Sequence, residues 1–154
     1  MQLEKAIKQQ KPFAHPKHKL VVNIIYSQSW LRLKVDTVFK TTDVTSQQYN
    51  ILRILRGQHP NPATVNLLVE RMIDKMSNAS RLVDRLYNKG YVERIKNKTD
   101  RRAVDVSITE RGLSFLQEMD ARLAVVMENM FDLNDGETEQ LNELLDKMRG
   151  DEKV

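Results

Sequence analysis

Apolar residues recur at helical spacing along most of this chain and at strand spacing over two short stretches near residue 100. A short polar helix is expected within residues 2–10, broken near Pro12. A long helix is expected from Pro16, a residue suited to a first helical turn. It carries Leu20, Ile24, Leu31, Val35 and Val38 and ends near Lys40. Thr45 followed by Gln48 spells a capping box, with Val44 and Tyr49 placed as a hydrophobic staple. The helix so started runs through Ile51, Leu52 and Leu55 to Gly57, read as its stop. The loop QHPNPAT holds two prolines and is not helix interior. Asn66 is then the expected cap of a short helix from Leu67 to Met72.

The segment 77–90 divides most cleanly. At 100° per residue, Ala79, Leu82, Val83 and Leu86 share one side, while Ser77, Asn78, Ser80, Arg81, Asp84, Arg85 and Asn88 share the other. Ser77 is the expected N-cap and Gly90 the end of this helix. Tyr91–Ile95 and Ala103–Ile108 follow as two short strands around a basic loop, with Val104, Val106 and Ile108 alternating against Asp105 and Ser107. Thr109 is expected to cap a long helix to about Phe131. Asn134 with Glu137 starts a last one, striped by Leu141, Leu144, Leu145 and Met148. There is no internal repeat and no low-complexity segment.

Charge changes the picture. The net value of +4 conceals an asymmetry: residues 1–112 hold 21 Lys and Arg against 10 Asp and Glu, and residues 113–154 hold 4 against 11. A basic body joined to an acidic end suits a polyanionic partner on one surface and a different role for the other. At 154 residues, 40% hydrophobic and 30% charged, the chain is expected to form one ordinary domain with a buried core. No apolar run approaches the roughly 20 residues of a membrane span. MQLEKAIKQQK also lacks the apolar stretch of a signal peptide, so a cytoplasmic protein with no membrane partner is expected. With no cysteine, thiolate metal sites and thiol redox sensing are excluded.

The candidate chemistry lies in KNKTDRRAVDVSITERG, from Lys96 to Gly112. Paired arginines beside one aspartate on a basic hairpin suit a narrow, negatively charged groove: arginine reaches in, and the carboxylate holds its guanidinium. A basic amphipathic helix followed by a basic hairpin outlines a winged helix-turn-helix reader of DNA.

At this point the chain resembles the MarR family of bacterial transcription regulators, over roughly residues 17–149. VTSQQYNILRIL is similar to that family's second helix, and SNASRLVDRLYNKGYVER to its recognition helix leading into the wing. DRRAVDVSITERG matches its wing signature, Asp-x-Arg, an alternating strand and Thr-x-x-Gly. Two departures are the N-terminal lead of about 16 residues and Met76, which precedes Ser77 where the family often has a polar residue. The resemblance implies a mainly α fold with a small β-hairpin wing. Residues 1–16 form the lead, 17–42 and 110–150 a helical dimerisation region, and 43–109 the winged helix-turn-helix domain. It further implies a homodimer on a pseudo-palindromic operator, acting as a repressor released by a small molecule. A winged-helix architectural binder or protein-interaction module is the alternative.

Within that reading, Asn78 suits adenine, Arg81 guanine, and Ser77 and Ser80 either, with Arg85 a turn further on reaching a base or a phosphate. Lys75, Lys89, Lys96 and Lys98 are the expected phosphate contacts. Arg101 and Arg102 are expected to follow the minor groove; in the family's pattern Arg102 matches the inserted arginine and Asp100 the residue that holds it. The family's aromatic or phenolic ligands bind between dimerisation helices and winged domain, where Tyr26, Trp30, Tyr49, Arg53 and Phe115 are the candidate lining. Core packing is the commoner role of such aromatics. His15 and His18 have H-x-x-H spacing, but only His59 remains as a further imidazole, and a solvated tail is preferred to a metal site. No phosphate-binding glycine loop, placed nucleophile or paired carboxylate suggests an enzyme, and no cofactor is expected.

Overall fold

The computed structural model describes residues 2–97 and 104–150. Among the described residues ten elements follow one another: α1 (Leu3–Ala6), α2 (Pro16–Phe39), α3 (Ser46–Gln58), β1 (Ala63–Thr64), α4 (Val65–Arg71), α5 (Ala79–Asn88), β2 (Val92–Lys96), β3 (Val104–Ile108), α6 (Glu110–Glu128) and α7 (Asp135–Arg149). The mainly helical fold class with a small sheet is the one expected.

Local chemistry sets most of the boundaries. Thr45 and Gln48 close the expected capping box on α3, and Asn134 and Glu137 close another on α7. Each box satisfies two backbone donors that a helix start otherwise leaves bare. The Gly90 and Tyr91 N–H groups bond back to the Tyr87 and Leu86 carbonyls, a Schellman closure of α5 that puts Gly90 at φ +74°. His15, expected in a solvated tail, instead caps α2: its Nδ1 accepts the Lys17 N–H at 3.3 Å.

Several expectations are corrected. The N-terminal helix spans four residues rather than nine. Gly57 does not stop α3, which continues to Gln58; His59, held extended before Pro60, ends it. Thr64, not Asn66, caps α4, its side chain accepting the Leu67 N–H at 3.1 Å. Asn78, not Ser77, caps α5. Helix α6 stops at Glu128, short of Phe131. Val104, expected on the buried face, is 45% exposed, because it stands at the wing end of β3, opposite Lys96.

The sheet is antiparallel with order β1-β3-β2; Ala63 faces Val106, and Arg94 faces Val106 from the other side. Its strands cover a core built from Ile51, Leu52 and Leu55 of α3, Leu68 of α4, Ala79, Val83 and Leu86 of α5, Val92, Val106, Ile108 and Leu116. Each such Leu or Ile contributes about 1.5–3 kcal/mol through burial. A smaller cluster of Phe39, Met119 and Leu123 joins α2 to α6. Helix α7 has no fully buried residue, and Leu20, Val21 and Ile25 of α2, Phe131 and Leu133 between α6 and α7, and Leu141, Leu144 and Met148 of α7 lie exposed. Among the described residues no helix is long and apolar enough to cross a membrane.

Candidate nucleic-acid interface

Helix α5 packs its apolar stripe on α3 and leaves Ser80, Arg81, Asp84 and Arg85 exposed. Its start is braced by the turn at residues 72–78. Asn50 Oδ1 accepts the Ile73 N–H at 3.1 Å, and Asp74 accepts from the Met76 N–H at 3.0 Å and the Ser77 hydroxyl at 2.8 Å. Asn78 Oδ1 accepts the Arg81 N–H at 3.0 Å. Two expected base readers are therefore partly occupied in holding the structure. Ser77 is half-buried with its hydroxyl donated to Asp74, and Asn78 keeps only its amide NH2 for a base edge.

The acid on the outer face is neutralised. Arg94 of β2 forms an ion pair with Asp84 and lies over the Tyr87 ring, 4.9 Å from its centroid, tying the wing to α5. Arg81 and Arg85 make no ion pair among the described residues, so this face stays cationic. Arg94 was not among the expected site residues. Its only sequence signal is an arginine at an outward strand position after a helix that carries an aspartate.

The expected phosphate contacts divide. Lys96 is exposed at the end of β2. The Lys75 ammonium donates to the Glu70 carbonyl, and that of Lys89 to the Asp43 carbonyl, with Gln48 Oε1 3.5 Å away. Lys75 thereby closes on the helix it follows, and Lys89 ties the end of α5 to the start of α3. Lys98, Asp100, Arg101 and Arg102 lie outside the described residues.

The five residues expected to line an effector cleft fall into two groups, Tyr26 and Trp30 on α2, and Tyr49, Arg53 and Phe115 about the α3–α6 junction. Tyr26 and Trp30 border a depression with Ala6, and Trp30 also packs near Phe131, ring centroids 6.2 Å apart. Phe115 packs on Tyr91 at 5.0 Å and Tyr49 on Phe39 at 5.3 Å, both as core. Arg53 is exposed on α3.

Tyr49 instead belongs to a polar junction between α3 and α6. Its hydroxyl donates to Asp120 at 2.5 Å, and Arg56 reaches the other carboxylate oxygen at 2.5 Å. Burial, then the hydrogen bond and charge of Asp120, push Tyr49 up to about 12 despite Arg53 and Arg56. Burial would raise Asp120, but the bonds from Tyr49 and Arg56 and the charges of Arg56 and Arg53 hold it below the usual carboxylate value. Its contribution is therefore present above the ordinary aspartate range and lost as pH falls through the folded value. Tyr91 is raised by burial and by its bond to Asp43 at 3.0 Å, against the Arg111 guanidinium. A cleft of about 470 Å³ opens between α2, α3 and the 72–74 turn, lined by Gln28, Arg32, Ser46, Gln47, Asn50, Met72, Ile73 and Asp74.

Comparison with known proteins places this geometry. The MarR family model matches residues 44–104, from two residues before α3 to the first residue of β3. An uncharacterized HTH-type transcriptional regulator of Bacillus subtilis, YpoP, is 30% identical over 107 residues, covering 69% of this chain and 74% of the relative. The fold matches a putative MarR-like transcription regulator from Bacillus cereus with TM-score 0.77 and 24% identity, over 86% of this chain and 95% of that one. It also matches BpsR of Bordetella bronchiseptica, whose DNA binding is regulated by 6-hydroxynicotinic acid, with TM-score 0.79 and 20% identity, over 92% and 100%.

Proposed function

The chain belongs to the MarR family of DNA-binding transcription regulators, which are not enzymes, and from that premise we propose that it is a cytoplasmic, homodimeric repressor of a pseudo-palindromic operator. The observation that carries the DNA reading is the outer face of α5, where Ser80, Arg81 and Arg85 stand exposed and the one carboxylate, Asp84, is paired with Arg94. The N-terminal half of such a helix enters the major groove, and the wing follows the adjacent minor groove with Asp100, Arg101 and Arg102. Lys96 and Lys98 contact phosphates.

Dimerisation is supported by α7. A 15-residue helix with no fully buried residue, and only Leu145 half-buried, gains little from packing within one chain, and an isolated helix of that length is marginal in water. A second copy laid along its Leu141, Leu144 and Met148 stripe and along Leu20 and Ile25 of α2 supplies the missing burial. The acidic end then lies away from the phosphates. A dimer covering a promoter blocks polymerase without further contacts, which favours repression.

For release, the cleft beside Arg32 is the favoured effector site: Arg32 pairs with Asp36 at 3.5 Å and suits a carboxylate or phenolate that takes that place. Ile73 and Asp74 in its wall also lead into α5. Tyr26, Trp30, Tyr49, Arg53 and Phe115 are not among the residues that line it.

Arg102→Ala is expected to weaken operator binding by roughly 1–3 kcal/mol without unfolding the dimer. A gel-shift titration at fixed salt reads the change; unchanged affinity removes the wing from the reading.

A further inference from the structure

Met76 is 94% exposed, the highest value among the large apolar residues described. It stands two residues before the cap of α5, in a turn whose backbone is fixed. Asn50 holds Ile73, and the Asp74 carboxylate holds both the Met76 N–H and the Ser77 hydroxyl. The turn thus has a set shape, yet its most prominent side chain buries almost nothing.

Its surroundings are polar: Lys75, Ser77, Asn78, Ser80 and Arg81. Ile73, 86% exposed, borders the cleft beside Arg32. The apolar surface of the terminal helices is built from α2, α7 and the segment between α6 and α7, none of which includes residue 76.

We propose that Met76 is a specificity residue that packs its thioether on the C5-methyl group of a thymine in each half-site. The proposal rests on the DNA-binding reading above. In the major groove the edges of the bases offer hydrogen-bond donors and acceptors, and the thymine methyl is the one apolar group among them. A thioether has no strong donor or acceptor to match the polar edges. Its three rotatable bonds and polarisable sulfur suit a methyl group met at an irregular angle. Lys75 on one side and Arg81 on the other provide the charge that brings this turn against the phosphates.

The test uses the full-length protein and duplexes selected by it from a random pool. Each thymine is replaced in turn by uracil, which deletes only the methyl, and binding is titrated at fixed salt for wild type, Met76→Ala and Met76→Gln. Because the side chain is exposed, both variants are expected to keep the wild-type melting temperature. At one position in each half-site, uracil is expected to weaken wild type about fourfold, and about fifteenfold when placed in both, as for ~0.8 kcal/mol per buried methyl. The variants are expected to bind thymine and uracil duplexes alike.

A flat uracil scan on a specifically bound duplex overturns the methyl contact and leaves the DNA reading standing. A uracil penalty undiminished in both variants does the same. A flat scan in which the variants lose self-association assigns Met76 to a protein contact instead. A pool from which no sequence is enriched overturns this proposal and the operator reading together.

Discussion

Replacing Gly112 by alanine is expected to destabilise the protein by about 3 kcal/mol, lowering its thermal midpoint by roughly 6–12 °C. Gly112 is the third residue of α6, where alanine would ordinarily add about 1 kcal/mol of helix propensity. Here a Cβ would stand 2.4 Å from the Tyr91 carbonyl oxygen and 2.6 Å from Ile108 Cγ1. Neither neighbour is free to move. The Tyr91 carbonyl accepts the Thr109 N–H at 3.1 Å, and the Thr109 hydroxyl donates to the Gly90 carbonyl at 2.8 Å. Thr109 Oγ1 in turn accepts the Gly112 N–H at 3.2 Å. Relief requires lifting the start of α6 off the sheet, and α6 is the element that joins the winged region to the terminal helices. Gly57, inside α3, provides the control, because a Cβ added there would meet nothing within 4 Å. Gly57→Ala is expected to raise stability by about 0.5–1 kcal/mol. Thermal denaturation of both variants reads the opposite signs; a Gly112→Ala protein as stable as wild type would refute the steric account.

Arg81→Ala is expected to have the larger effect on DNA. A good bidentate contact to a base is worth roughly 1–3 kcal/mol, so losing it in both half-sites of a dimer costs roughly 2–6 kcal/mol of binding. Stability should hardly change, because the guanidinium is exposed and unpaired among the described residues. The capping bond uses the Arg81 backbone N–H, which alanine keeps. Lysine is not expected to rescue it, since a point charge does not reproduce the planar fork. If affinity falls and base preference at one position relaxes, Arg81 reads a base. A uniform fall with a shallower salt dependence makes it a phosphate contact, and no fall takes α5 out of the interface.

The features legible in the sequence were those decided within a few residues. Thr45 with Gln48 and Asn134 with Glu137 each carry both partners of a capping box, and the stripe of Ala79, Val83 and Leu86 fixes which side of α5 turns outward. The Thr-x-x-Gly pattern was visible, but its reason was not. Only the approach of Tyr91 and Ile108 shows why the fourth residue has no side chain.

The departures from local expectation depend on partners distant in the chain. Thr64 and Asn66 are both able to cap a helix. Pairing of Ala63 and Thr64 with Val106 and Asp105 selects Thr64 by fixing where the strand ends. Asn78 displaces Ser77 as cap once Asp74 has taken the serine hydroxyl. Gly57 resembled a stop, but the backbone has no need of a left-handed residue there, and Pro60 does the stopping through His59. Residue type and helical spacing group the aromatic candidates but say nothing of their neighbours. Asp120, 71 residues from Tyr49, and Arg94, ten from Asp84, were invisible for the same reason.

Footprinting a selected duplex with wild-type protein, with the mass of the complex measured in parallel, tests the central claim most directly. Two protected half-sites centred about 10 bp apart, related by a pseudo-twofold and occupied by two chains, are expected. A single half-site held by one chain, or uniform protection with no preferred sequence, would contradict it.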